Sequence, residues 1–440
     1  MKRDAIKQLE KWKNKKKRKP LIIRGARQVG KTWIMKEFGK THYKKIAYIS
    51  MDENERMEST FREAFDIERI ILSLEIEVGF KIDPMDTLII LDEIQEIPRA
   101  LKSLKYFYEQ APQYHIMAAG SLLGIALHEE TSCPVGKVDF IDLYPLTFNE
   151  FLAACGQNQL VEIMKNNDFE IIKSFKSKII DYLRYYYFVG GMPEVVASFS
   201  EDKDFSAVRE IQNELLAAYE NDFSKHAPKD VVTRIRMLWR SFPRQLAKEN
   251  SRFIYGLIRE GARAREYEVA LTWLLDIGVI YKVNRIDKPD FPLNAYEDTS
   301  SFKLFMLDIG LLGAMAKLNV KILLDGNKLF EEFKGSLTEQ YVMQQLVVNP
   351  KNDIFYWTSK DSKSEIDFVV QMDDKIIPLE VKAEENLQAK SLKVFVNKYH
   401  SDNAVRTSMS DYRKQDWMIN YPLYSIENLN AYYDKEDLIV

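Results

Sequence analysis

The spacing of apolar positions changes several times along the 440-residue chain, and each change marks an element or a region. Leu21 to Ile23 is a short apolar β run, and Leu88 to Leu91 is a continuous one that reads as a strand buried on both faces, as in a parallel sheet. Further strands are expected at Lys45 to Ser50, His115 to Ala119 and Lys137 to Leu143. Helical spacing separates them, as in Arg99 to Gln110, where Leu101, Leu104, Lys105 and Tyr108 share a face. Strands alternating with helices predict an α/β core, a doubly wound parallel sheet with its ligand at the C-terminal ends of the strands.

Beyond the sheet the pattern is different. Helix formers dominate from about Phe148 to Ser224, and Tyr182, Tyr185, Tyr186, Tyr187 and Phe188 form an aromatic run. At helical spacing such a run is core more often than a base-stacking platform, so a helical lid is expected over 148–228, with Gly190-Gly191 stopping the helix. In 229–326, Arg234, Arg236, Arg240 and Arg244 stud one helix. A second ends near Glu260-Gly261, and a third, Tyr267 to Asp276, carries Tyr267, Ala270, Leu271, Leu274 and Leu275. The strand Val279 to Arg285 and the Pro-rich stretch Asp287 to Leu293 follow. Three helices and a hairpin suggest a winged helix, with Arg263 and Arg265 ahead of its third helix. As a DNA module its arginines would meet phosphates; Glu266 and Glu268 on the same helix would repel them, which fits a partner surface equally well.

Composition narrows the function classes. The net charge of −3 excludes a uniformly basic nucleic-acid coat, although ten of the first twenty residues are Lys or Arg, so any grip on DNA has to be local. Two cysteines, Cys133 and Cys155, cannot build a disulfide framework in a chain of this length, and a reducing, cytoplasmic setting is expected. Arg24 interrupts the first apolar run too early for a signal-peptide core, and no apolar run approaches the ~20 residues of a membrane span. No membrane partner is expected. The five histidines, His42, His115, His128, His226 and His400, lie far apart, which gives no local support to a zinc site or a His-based triad.

The most specific chemistry lies in Pro20 to Thr32, where the first apolar run enters G-A-R-Q-V-G-K-T. Gly25, Ala26, Arg27, Gln28, Val29 and Gly30 form a loop whose N–H groups can cradle phosphates, and the following helix adds its positive end. Lys31 is expected on the β/γ-phosphates and Thr32 on Mg²⁺. A P-loop needs a metal-holding carboxylate, and Asp92 ends the buried strand, with Glu93 beside it to polarise the attacking water. The bland alternative for the pair, an N-cap on the next helix, loses ground once the P-loop is present. Ser121, after the strand His115 to Ala119, is either a sensor of the γ-phosphate or an ordinary turn serine.

These segments, with L-D-E-I-Q, A-G-S, D-L-Y-P-L-T-F-N-E-F and G-G-M-P-E in order, resemble the prokaryotic AAA-type ATPases that carry a C-terminal domain of unknown function. The resemblance spans nearly the whole chain and implies binding and hydrolysis of ATP with Mg²⁺ in the cytoplasm. It leaves oligomerisation open. One position departs: members usually have Gly-Arg before the strand leading to P-L-T-F, and here it is Gly136-Lys137. If that arginine is a finger on the γ-phosphate, lysine keeps the charge and loses the planar fork; otherwise Lys137 is a surface residue at a strand entrance.

A second candidate site lies in 327–440. A helix, Leu329 to Leu346, contains Glu339; strands are expected at Asp353 to Thr358, Glu365 to Val370 and Lys375 to Lys382, then a helix with Leu392, Phe395, Val396 and Tyr399 on one face. Asp367 followed by Glu380-x-Lys382 on one strand face, with a helical Glu upstream, resembles the PD-(D/E)-x-K nucleases. That resemblance implies Mg²⁺ on Asp367 and Glu380, completed by Glu339, with Lys382 activating water or steadying charge on a phosphate. The residue pattern alone arises by chance on charged hairpins, and a fold does not certify chemistry. The domain expectation is thus 1–147 ATPase core, 148–228 lid, 229–326 winged-helix-like and 327–440 nuclease-like. Three functions follow: an ATPase that docks on and cuts DNA, a nucleotide switch with an inactive nuclease-like end, and a protein-interaction scaffold.

Overall fold

The computed structural model describes residues 1–62, 65–121, 123–126, 136–246, 252–320, 331–385 and 388–437. His128 and Cys133 lie outside the described residues. The chain divides into two compact units, one of Lys2–Tyr144 with Asp276–Val279 and one of Pro145–Leu275 with Ile280–Val440.

In the first unit five strands, β1 (Leu21–Arg24), β2 (Lys45–Ser50), β3 (Thr87–Asp92), β4 (His115–Ala119) and β5 (Asp139–Asp142), form a parallel sheet in the order β2-β3-β4-β1-β5. Every residue of β3 is buried, as its continuous apolar run requires of a central strand. The helix Ile67–Val78 starts where the Asp66 carboxylate accepts the N–H groups of Glu68 and Arg69, and it ends at Gly79 in the left-handed region. Ile70, Ile71 and Leu74 from it meet Leu101, Leu104 and Phe107 of the helix Pro98–Gln110 in one apolar cluster with Ile89 and Leu91 of β3. Strands with helices between them, in this order, make the α/β parallel-sheet core read from the sequence, and further α/β structure follows it.

The second unit begins with helices. Phe148–Ala154 opens on a reciprocal cap: Thr147 Oγ1 accepts the Glu150 N–H and the Glu150 carboxylate accepts the Thr147 N–H at 3.1 Å. That is the physical content of the P-L-T-F-N-E stretch. The Gly190-Gly191 pair ends the aromatic helix Lys176–Val189 because nothing larger fits there. A Cβ at Gly190 would lie 2.2 Å from Asp308 Oδ1, and one at Gly191 would lie 2.1 Å from the Leu146 carbonyl oxygen. The aromatic run is core: Tyr186 is fully buried and its hydroxyl donates to Leu146 O at 2.5 Å.

The helices Val232–Trp239, Phe242–Leu246 and Ala264–Asp276 precede a hairpin of β6 (Ile280–Ile286) and β7 (Glu297–Met306), with the Pro-rich stretch as its connection. This hairpin is no isolated wing. β6 pairs in parallel with β8 (Asn352–Thr358), and β9 (Glu365–Met372), β10 (Lys375–Val381), β11 (Val405–Ser408), β12 (Arg413–Lys414) and β13 (Ile419–Pro422) complete an eight-stranded mixed sheet, β12-β13-β11-β10-β9-β8-β6-β7. The helices Glu331–Leu346 and Lys390–Tyr399 accompany it. Among the described residues no helix is long and apolar enough to cross a membrane.

Candidate functional site

β1 delivers the chain to the phosphate loop with Leu21, Ile22 and Ile23 buried. Gly25, Gln28 and Gly30 then take positive φ values of 141°, 65° and 94°, and the helix Lys31–His42 starts at Gly30. Gly25 has a steric reason as well, since a Cβ there would lie 2.2 Å from the Leu143 carbonyl oxygen. Ala26 and Val29 are buried, Arg27 and Gln28 exposed, so the apolar members pin the loop and the polar ones leave it. Val29 O accepts a hydrogen bond from the Arg3 guanidinium at 3.1 Å.

Lys31 is 7% exposed, and its ammonium donates to Gly25 O and Ala26 O, each at 2.8 Å. Burial pushes it down to about 8, against the opposing pull of Glu93 and Asp92. Among the described residues its hydrogen bonds go to two carbonyls of its own loop, so an anion would add a directly bonded charge partner. The Thr32 hydroxyl donates to Asp92 Oδ2 at 2.6 Å, which brings together the two groups assigned to the metal. Tyr48 donates to the same oxygen at 3.0 Å and is pushed up to about 12, by burial first and by Asp92 next.

Glu93 follows β3 in the left-handed region, φ 50°. Its Oε2 accepts from Gln95 Nε2 at 2.7 Å, Ser121 Oγ at 2.9 Å and Ser121 N at 3.1 Å. Burial alone would raise this carboxyl, but the bonds from Gln95 and Ser121, with Lys31 nearby, hold it below the usual range. Ser121 therefore touches Glu93 directly. Gln95 Oε1 is buried without a hydrogen-bond partner among the described residues, and Gly120 is small because a Cβ there would lie 1.8 Å from it. Nothing in the sequence marks Tyr48 as part of the site, and Gln95 is marked only by its place in L-D-E-I-Q.

Lys137 lies just before β5, paired with Glu109 at 2.8 Å and 5.7 Å from the Tyr108 ring. Since Leu21 of β1 aligns with Asp139 of β5, Lys137 sits at the start of these parallel strands, whereas the phosphate loop follows their other end. It is remote from Lys31 of its own chain.

Two carboxylates of the second candidate site, Glu339 and Asp367, come together with Glu365 around a residue that the sequence does not point to. Lys303 of β7 is fully buried, and its Nζ lies 2.6 Å from Glu365 Oε1, 3.0 Å from Glu339 Oε2 and 3.9 Å from Asp367 Oδ1. Burial alone would lower this lysine, but Glu339, Glu365 and Asp367 outweigh it and hold it well above its ordinary value. Asp367 is raised, by burial first and by Glu339 next, and its Oδ2 accepts the Val381 N–H at 2.7 Å. The register that pairs Phe368 with Leu379 sets Asp367 beside Glu380, and Lys382 Nζ lies 2.9 Å from Glu380 Oε1. Among the described residues no group of three or more His, Cys, Asp or Glu side chains is arranged to hold a metal ion.

Residues 17–152 match the family model of an AAA domain, and 180–321 and 334–426 match two models described only as domains of unknown function. Together with the parallel sheet and the loop at its strand ends, the first match makes this region an AAA-type P-loop domain, a nucleotide-binding class. None of the curated proteins matches the chain. Solved structures similar to it include the Walker-type ATPase PABY2304 of Pyrococcus abyssi, at 14% identity over 71% of this chain and 94% of that one, TM-score 0.43. The Aeropyrum pernix ORC1 protein in complex with DNA follows at 12% identity, 71% and 91% coverage and TM-score 0.26. Cdc6p from Pyrobaculum aerophilum has 12% identity, 73% and 93% coverage and TM-score 0.25.

Proposed function

We propose that the protein is a cytoplasmic, Mg²⁺-dependent ATPase that couples hydrolysis to domain rearrangement on nucleic acid. The observation that carries the hydrolytic part is the convergence of Lys31, the Thr32–Asp92 pair and the tethered Glu93 carboxylate at the ends of β1 and β3. In this reading the backbone N–H groups of Gly25 to Gly30 and the Lys31 ammonium hold the phosphates, and Thr32 and Asp92 hold Mg²⁺, whose charge would stabilise the phosphoryl group in transfer. Glu93, kept ionised by Ser121 and Gln95, accepts a proton from the attacking water. The nucleic-acid part rests on Arg234, Arg263 and Arg265, all exposed. Arg240 is instead paired with Glu220, and Arg259 with Glu266.

Phosphate release tests this. Lys31→Ala should lose nucleotide binding, and Glu93→Gln should keep binding while release falls about 100-fold or more, the scale of a lost general base. Chelation with EDTA should stop release in the wild type. Equal release by wild type and Glu93→Gln would sink the proposal. Running the assay with single-stranded, duplex and branched DNA separates the coupled ATPase from a nucleotide switch or scaffold: stimulation that fades with salt supports the former.

A further inference from the structure

The buried lysine in the nuclease-like cluster conflicts with the metal site that the Asp367, Glu380-x-Lys382 pattern implies. A divalent ion held by Glu339 and Asp367 would have to share their oxygens with the Lys303 ammonium. That ammonium arrives from β7, a strand outside the PD-(D/E)-x-K resemblance, and is brought into reach because β6 pairs with β8 and draws the hairpin into the same sheet. Its side chain is fully buried, with the Tyr356 ring 5.2 Å away, so the ammonium is held at the carboxylates and out of solvent. Three carboxylates from two elements surround it, Glu339 from the helix Glu331–Leu346 and Glu365 and Asp367 from β9.

The remaining carboxylate is also engaged. Glu380 is 4% exposed and gives Oε1 to Lys382. Its Oε2 is buried without a hydrogen-bond partner among the described residues, and a lone carboxylate oxygen falls well short of the several oxygen ligands that Mg²⁺ takes in octahedral geometry. Two ammonium groups thus stand among four carboxylates. A further cation at the centre would meet Lys303 at close range in a medium that screens poorly.

We propose that Lys303 is the resident cation of the Glu339–Glu365–Asp367 cluster, an internal ammonium in the place of a divalent metal ion, and that the site therefore does not cut DNA. Its role is to fasten the β6–β7 hairpin to β9 and the Glu331–Leu346 helix.

The test is a Mn²⁺ titration of the full, nucleotide-free chain, followed by the electron paramagnetic resonance signal of free Mn²⁺, which is independent of ATP turnover. The wild type should show no saturable site at submillimolar Mn²⁺ that depends on Asp367. Lys303→Met should gain one, and adding Asp367→Asn should remove it again. A wild-type site that Asp367→Asn abolishes overturns the proposal, as does a folded Lys303→Met chain that gains none. Should Lys303→Met fail to fold, the wild type and Asp367→Asn decide the matter alone: no Asp367-dependent site supports the resident lysine, and such a site overturns it.

Discussion

Glu93 occupies a backbone region that costs a non-glycine residue on the order of 1–3 kcal/mol, and three donors from Gln95 and Ser121 hold its carboxylate there. Two of the three come from Ser121, one of them through its backbone. Ser121→Ala removes only the hydroxyl donor, so the carboxylate should keep its place less firmly. We expect kcat for ATP to fall about ten- to hundredfold, the worth of one charge-assisted bond, with nucleotide affinity unchanged. Steady-state kinetics beside a fluorescent-nucleotide titration checks this; loss of affinity with kcat intact would instead make Ser121 a phosphate contact. The serine was legible as a candidate from its position after a strand. That its partner would be Glu93 was not, because the pairing depends on β3 and β4 lying side by side.

At the scale of elements, segments far apart in sequence meet at Asp308, which is fully buried at the start of the helix Ile309–Met315. Its carboxylate accepts the N–H of Gly191 at 2.6 Å, that of Leu311 at 2.9 Å and Gln344 Nε2 at 3.0 Å, so three buried donors depend on it. Asp308→Ala would leave the Gly191 and Leu311 N–H groups unpaired and take one of the two bonds of Gln344 Nε2, which also donates to the Tyr186 hydroxyl, at a cost of roughly 3 kcal/mol, measurable as a lower denaturant midpoint, while Lys31-dependent nucleotide binding should persist. The sequence displayed G-G-M-P-E as a family mark without its reason. The reason is spatial: the glycines make room for Asp308 and for the Leu146 carbonyl. The strand order has the same character. Apolar runs located β1 to β4 closely, yet the joining of the β6–β7 hairpin to β8 leaves no trace in periodicity, since a parallel pairing of distant strands imposes no pattern on the chain between.

For the molecule as a whole, acid sensitivity has an identifiable source in the first unit. His115 opens β4 with its Nδ1 2.5 Å from the Tyr43 hydroxyl, and burial, then Arg18 and Lys13, push its imidazole down to about 4. The folded state therefore prefers the neutral ring while the unfolded chain protonates near 6.5. Between those values the unfolded state binds more protons, so this contribution to stability is complete above about pH 6.5 and is lost as pH falls toward 4. His115→Asn should flatten that loss in the thermal unfolding transition, and an unchanged pH slope would assign the sensitivity elsewhere.

What the sequence determined by itself is the part written in local pattern: the parallel-sheet core, the phosphate loop with Lys31 and Thr32, and the Asp92-Glu93 pair. Each needs only residue type, short spacing and the strand or helix it interrupts. The tertiary structure alone decided which groups surround Glu93, why Gly190 and Gly191 are glycines, and that Lys303 stands among Glu339, Glu365 and Asp367. A buried charge finds its partners through strand order and helix packing, and those relations join residues that no spacing along the chain connects.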